Sequence, residues 1–131
     1  DMSFSGLKTA VVNLVHNAEQ KQEALDKKGL AASFEQAVSD VLVSRTMEAA
    51  RVTGRSAIVA AGGVAANGQI RAALSKAVHE AGKTLYLPPL RFCGDNAAMI
   101  GAQGYYEFLA GRTAGMELNA YASMDIELKG R

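Results

Sequence analysis

The chain turns on one pattern: a short apolar run, a glycine pair, a helical period, and a second short apolar run. Ala57-Ile58-Val59-Ala60-Ala61 has no polar face, so it reads as a buried strand. Gly62-Gly63 ends it. Ile70, Ala73, Leu74, Ala77 and Val78 then recur at three- and four-residue steps, which puts them on one face of a helix. Asn67 suits the cap of that helix and Gly82 its end. Thr84 to Leu87 reads as a second short strand, closed by Pro88-Pro89. Helices alternating with short strands define an α/β domain.

The flanks extend the same pattern. Asp1 to Ser5 alternates apolar and polar residues and predicts a short strand, with a turn at Gly6. Leu7, Ala10, Val11, Leu14, Val15 and Ala18 then line one face of a helix. The charged stretch that closes on Lys27-Lys28-Gly29 predicts a helix end and a loop. Ser33-Phe34-Glu35-Gln36 reads as a capping box opening a new helix, with Phe34, Ala37, Val38, Val41, Leu42 and Met47 inward and Gly54 as its stop. Asp95 or Asn96 starts a further helix through Met99, Ala102, Tyr106 and Leu109, ended by Gly111. The tail after Gly115 alternates loosely and predicts an edge strand. No repeat, linker or low-complexity tract interrupts the chain, so 1–131 is expected to be a single domain.

Composition bounds the function. Hydrophobic residues are 49% of the chain, enough for a packed core. Fourteen Lys and Arg stand against 13 Asp and Glu, and a net charge of +1 supplies no general field for nucleic acid. Contact with RNA would need a local patch or a partner surface. The single cysteine, Cys93, excludes an internal disulfide and fits a reducing, cytoplasmic setting. No apolar run approaches the roughly 18 residues of a membrane span. No signal peptide is visible, and a start at Asp1 rather than Met reads as a fragment or a cleaved product.

Two loops carry candidate chemistry, each following an apolar strand and running into a helix. In Gly62-Gly63-Val64-Ala65-Ala66-Asn67, glycines let backbone approach a ligand, and a helix N-terminus suits phosphate. Asn67 both donates and accepts, as a sugar or a base edge requires. The same residues equally make a tight turn with Asn67 as an ordinary cap. In Phe92-Cys93-Gly94-Asp95-Asn96, Asp95 is either a plain N-cap or a hard oxygen ligand for a metal. His16 and His79 lie within helices and form no HExxH or HxxxH pair. Cys93 has the place of a small buried side chain, with no base beside it. A third segment, Ser3-Phe4-Ser5-Gly6-Leu7-Lys8-Thr9, has phosphate-loop residue types without Walker spacing, and Lys8 reads as a solvated charge.

In this order and spacing, Ser3–Thr9, Gly62–Asn67 and Phe92–Ile100 resemble the TsaD family, the tRNA threonylcarbamoyltransferases once called O-sialoglycoprotein endopeptidases or glycoproteases. The resemblance covers nearly the whole chain. It implies the second, C-terminal lobe of the two-lobed actin-like ATPase (ASKHA) architecture, with the first lobe absent. It also implies transfer of a threonylcarbamoyl group from threonylcarbamoyl-AMP to N6 of the adenosine 3′ of the anticodon in tRNA. By resemblance Asp95 is a metal ligand, to iron or zinc, and acts in catalysis through that ion. Asn67 contacts the adenylate, and Gly62 and Gly63 sit beside it. The family's other metal ligands come from an HxxxH motif that this chain lacks. The implied chemistry is acyl transfer with no protein nucleophile, the metal orienting and polarising the adenylate. Partner proteins of the same pathway and a cytoplasmic location are also implied. The competing expectations are a kinase-like nucleotide-binding lobe, the metalloprotease of the older family name, and a non-catalytic interaction module.

Overall fold

The computed structural model describes residues 3–120 and 122. Helix α1 spans Ser5–Lys21, α2 Lys27–Val52, α3 Gly68–Glu80 and α4 Ala97–Leu109; strands β1 and β2 are Ala57–Val59 and Thr84–Tyr86. The chain divides into two units, the first up to Asp95 and the second from Asn96.

The N-terminal strand is corrected. Asp1 and Met2 lie outside the described residues, Ser3 and Phe4 are not in a strand, and Ser5 and Gly6 already belong to α1. Phe4 is the N-cap, its carbonyl accepting from the Lys8 N–H at 2.9 Å. A few alternating residues are a weak signal, and the helical period that starts at Leu7 extends back to Ser5. At the other end Gln22 takes a left-handed conformation, φ 56°, and turns the chain out of the helix.

Helix α2 also starts earlier than its sequence pattern predicts, at Lys27. Lys27-Lys28-Gly29 opens a helix instead of closing one, and Ser33 lies inside it. The cap is Asp26, whose carboxylate accepts from the N–H groups of Lys28 and Gly29 at 3.1 and 3.0 Å. The first helical N–H groups have no partner of their own, and a carboxylate also meets the positive end of the helix dipole. Gly29 leaves space for it, since a Cβ there would stand 2.5 Å from the Asp26 carboxylate. Gly54 does stop the helix, at φ 67°.

The strands pair in parallel, Ala57 with Thr84, Ile58 with Leu85 and Val59 with Tyr86. Helix α3 is the crossover between them, as parallel strands require. Both strands are shorter than their apolar runs, ending at Val59 and Tyr86 rather than at Ala61 and Leu87. This α/β arrangement closes over Ala50, Ile58, Leu74 and Val78, with Val43, Met47, Ala60 and Leu85 packed against them. Val78 is 1% exposed and Leu74 6%, so the α3 face read from periodicity is the core face. Each such burial is worth about 1.5–3 kcal/mol.

In the second unit Asn96, not Asp95, caps α4, its Oδ1 accepting from the Met99 N–H at 2.9 Å. Gly111 ends the helix region at φ 69°. Residues 115–120 hold no strand, and the rest of the expected edge strand falls outside the described residues, save residue 122. Among the described residues no helix is long and apolar enough to cross a membrane.

The reassigned cap is testable by urea unfolding. Asp26→Ala should cost about 1 kcal/mol, whereas Ser33→Ala should stay within about 0.5 kcal/mol of wild type. The reverse order would restore the capping box.

Candidate functional site

The parallel register sets the site's location. Val59 and Tyr86 are paired, so both strands end side by side at one edge of the pair. Adjacent strands lie about 4.8 Å apart. The Gly62 loop and the Pro88 loop therefore leave from neighbouring points. In parallel α/β sheets this carboxyl edge is where ligands bind.

After β1 the backbone passes through Gly62 at φ 93°, a conformation that side chains disfavour. A 3-10 turn, Gly63–Ala66, follows and was not foreseen from the sequence. It is closed by Ala65 N–H to the Gly62 carbonyl and Asn67 N–H to the Val64 carbonyl, both at 3.0 Å. Gly63 differs from Gly62. Its φ is not positive, and a Cβ there would meet nothing within 4 Å. Nothing within the described chain demands a glycine at that position.

Asn67 is half-buried and caps α3, its Oδ1 accepting from the Ile70 N–H at 3.0 Å. The same amide's Nδ2 donates to Glu35 Oε1 at 2.9 Å, and one residue pair further on Gln69 Nε2 donates to Gln36 Oε1 at 2.8 Å. These cross-helix bonds orient the Asn67 amide. They leave one N–H and one lone pair of it for a ligand. Sequence reasoning missed Glu35, reading it only as an intervening residue of the Ser33–Gln36 capping box. The signal available was its position between Phe34 and Val38, on a helix face that also carries Leu30 and Ala31.

Beside this pair runs an open groove of about 680 Å³. Val11 and Val15 of α1, Leu30, Phe34 and Val38 of α2, and Val64 and Ile70 line it with Asn67 and Glu35. Its charged rim is Lys8, Lys27 and Glu35. Lys8 is exposed, as expected of a solvated charge. Mostly apolar walls with a few placed polar groups are the usual character of a small-molecule site.

The second loop leaves β2 through Pro88-Pro89 into a 3-10 turn, Leu90–Phe92. Cys93 is 3% exposed, and its Sγ lies 3.8 Å from the Pro89 carbonyl oxygen. Asp95 is exposed at the end of this loop. Arg71 joins the two loops by donating to the carbonyls of Ala65 and Pro88. His16 and His79 are exposed on α1 and α3, His16 at 3.0 Å from Gln20 Nε2. Among the described residues no three His, Cys, Asp or Glu side chains gather as a metal would require. The described residues alone do not make a metal centre.

The exposed Glu48–Arg51 ion pair lies outside the groove lining. Glu48, on the last turns of α2, is held below the usual carboxylate range by its hydrogen bond to Arg51 and by that residue's charge. It lies about 20 Å along the helix from Glu35.

Fold and site together define a parallel α/β unit that presents glycine backbone, a bonded amide and an exposed carboxylate from adjoining loops. Residues 1–102 match the model of the TsaD family, described as tRNA N6-adenosine threonylcarbamoyltransferase, and the chain belongs to that family. A threonylcarbamoyltransferase of Staphylococcus saprophyticus is 50% identical over 127 residues, covering 97% of this chain. Relatives of the same name from Limosilactobacillus reuteri and Enterococcus faecalis are 51% and 50% identical, each over 122 residues and 92% of the chain. The chain spans 37%, 36% and 35% of the lengths of these three relatives.

Hydrogen exchange tests the amide's double role. Asn67→Ala should lower stability by about 1 kcal/mol and speed exchange at the Ile70 amide. Unchanged protection at Ile70 would contradict the cap.

Proposed function

We propose that the polypeptide containing this chain transfers the threonylcarbamoyl group of threonylcarbamoyl-AMP to N6 of the adenosine 3′ of the anticodon in tRNA. The observation that carries this reading is the family match over residues 1–102, which takes in all of the Ser3–Thr9 and Gly62–Asn67 segments and Phe92–Ile100. In the reaction the adenosine amine attacks the carbamoyl carbon. A C–N bond forms, the C–O bond to the phosphate breaks, and AMP leaves with the electron pair while the amine loses a proton.

In this reading the chain's own residues bind and orient. Asn67 offers its spare N–H and lone pair to the adenylate, and Gly62 and Gly63 let its backbone come close. The glycine at 63, for which the described chain gives no internal reason, supports that role. The apolar groove beside Asn67 suits a purine. Holding the adenylate in line with the incoming amine supplies rate without a nucleophile of the protein. We propose further that Asp95 gives one ligand to an iron or zinc ion whose other ligands lie outside this chain. Such an ion supplies Lewis acidity when bound. Residues 1–131 would then form the second lobe of an actin-like ATPase architecture, a reading that the β1–α3–β2 crossover supports. Work on tRNA in the cytoplasm, with partner proteins of the same pathway, completes the proposal.

In the full-length protein, Asp95→Ala should remove the bound metal and lower formation of modified tRNA by at least about 100-fold. Mass spectrometry of tRNA nucleosides and metal analysis of the purified variant read both outcomes. Full metal content with wild-type product would sink the assignment of Asp95.

A further inference from the structure

We propose that Arg71 is a positioning residue that fixes the spacing between the Asn67 loop and the Asp95 loop. The proposal rests on the reading of those two loops given above. Arg71 stands on the first turn of α3, and its backbone N–H donates to the Asn67 carbonyl at 3.0 Å. Its side chain reaches both loops at once. Nη1 donates to the Ala65 carbonyl at 2.8 Å, inside the turn between Gly63 and Asn67. Nη2 donates to the Pro88 carbonyl at 3.0 Å, where the second loop leaves β2. Nη1 also lies 3.6 Å from Cys93 Sγ, two residues before Asp95.

The choice of partners is informative. A part-buried guanidinium is usually matched to a carboxylate, but the described partners here are two backbone carbonyls and a buried thiol. The fork therefore fixes main chain, and its N–H groups are held in set directions by a planar group. The two strand ends start side by side, but the loops beyond them share no strand pairing. Arg71 supplies the missing cross-tie. A lysine keeps the charge and the stem but brings a single nitrogen, so it can follow one loop and release the other. Group transfer is sensitive to displacements of about 1 Å between the held groups. The consequence should fall on turnover rather than on adenylate binding.

The test uses the full-length transferase with Arg71→Lys and Arg71→Ala, beside Asn67→Ala and Asp95→Ala. Melting temperature, kcat and KM for threonylcarbamoyl-AMP, and the alkylation rate of Cys93 mapped by peptide mass spectrometry are measured. Arg71→Lys should remain folded with KM within about 3-fold of wild type, while kcat falls by about 10- to 100-fold. Cys93 should be alkylated faster, and added methylguanidinium should restore part of the kcat of Arg71→Ala. Wild-type kcat and Cys93 protection in folded Arg71→Lys, with Asn67→Ala and Asp95→Ala impaired, would overturn the role of Arg71 alone. Wild-type rates in Asn67→Ala and Asp95→Ala would defeat the site reading itself and this proposal with it. Loss of the folded state in both Arg71 variants would make Arg71 a residue of the fold and overturn the positioning role.

Discussion

The amide of Asn67 closes the start of α3, taking the Ile70 N–H on its oxygen and giving a hydrogen from its nitrogen to Glu35. One side chain thus ties a helix end, a strand-end turn and a neighbouring helix. The turn from Gly62 to Ala66 is then held at both ends, by β1 before it and by the cap after it. A helix beginning without such a cap leaves its first N–H groups to water. Here it also leaves an amide with fixed direction and spare valence, which is what a ligand contact needs.

That arrangement depends on the core beneath it. Leu74 and Val78 press α3 onto Ile58, and Ala50 brings the C-terminal part of α2 to the same cluster. The crossover makes the strands parallel, and the parallel pairing sends both loops out from one edge. The site is therefore a by-product of burying one helix face. It departs from a plain α/β unit in small ways: a positive φ at Gly62, an unforced glycine at 63, an arginine bonded to carbonyls.

The residues whose roles are local were legible from sequence. Asn67, Gly54 and Gly82 cap or stop helices through their own chemistry, and both apolar runs became strands over their first three residues. Asp26 was overlooked because Ser33-Phe34-Glu35-Gln36 matches a cap pattern, while the earlier apolar residue Leu30 already belonged to the same period. The N-terminal strand failed because alternation over so few residues competes poorly with an adjoining helix. The bonds of Glu35 to Asn67 and of Arg71 to Pro88 span separations in sequence that no local pattern encodes, although the helix face of Glu35 was legible. Both 3-10 turns arise from how strand ends are bridged, again a tertiary matter. The sequence offered Asp95 or Asn96 as the cap of α4; Asn96 takes that role, so the carboxylate of Asp95 is not needed there.

Under the proposed function, the loops after β1 and β2 receive the two ends of one adenylate. A crystal structure of the full-length protein with a non-hydrolysable threonylcarbamoyl-adenylate analogue tests it most directly. The adenosine moiety should lie against Gly62, Gly63 and Asn67, with the threonylcarbamoyl end toward the Asp95 loop. An analogue bound with no contact to Asn67 or to the glycine backbone, or seated with its acyl end away from Asp95, would contradict it.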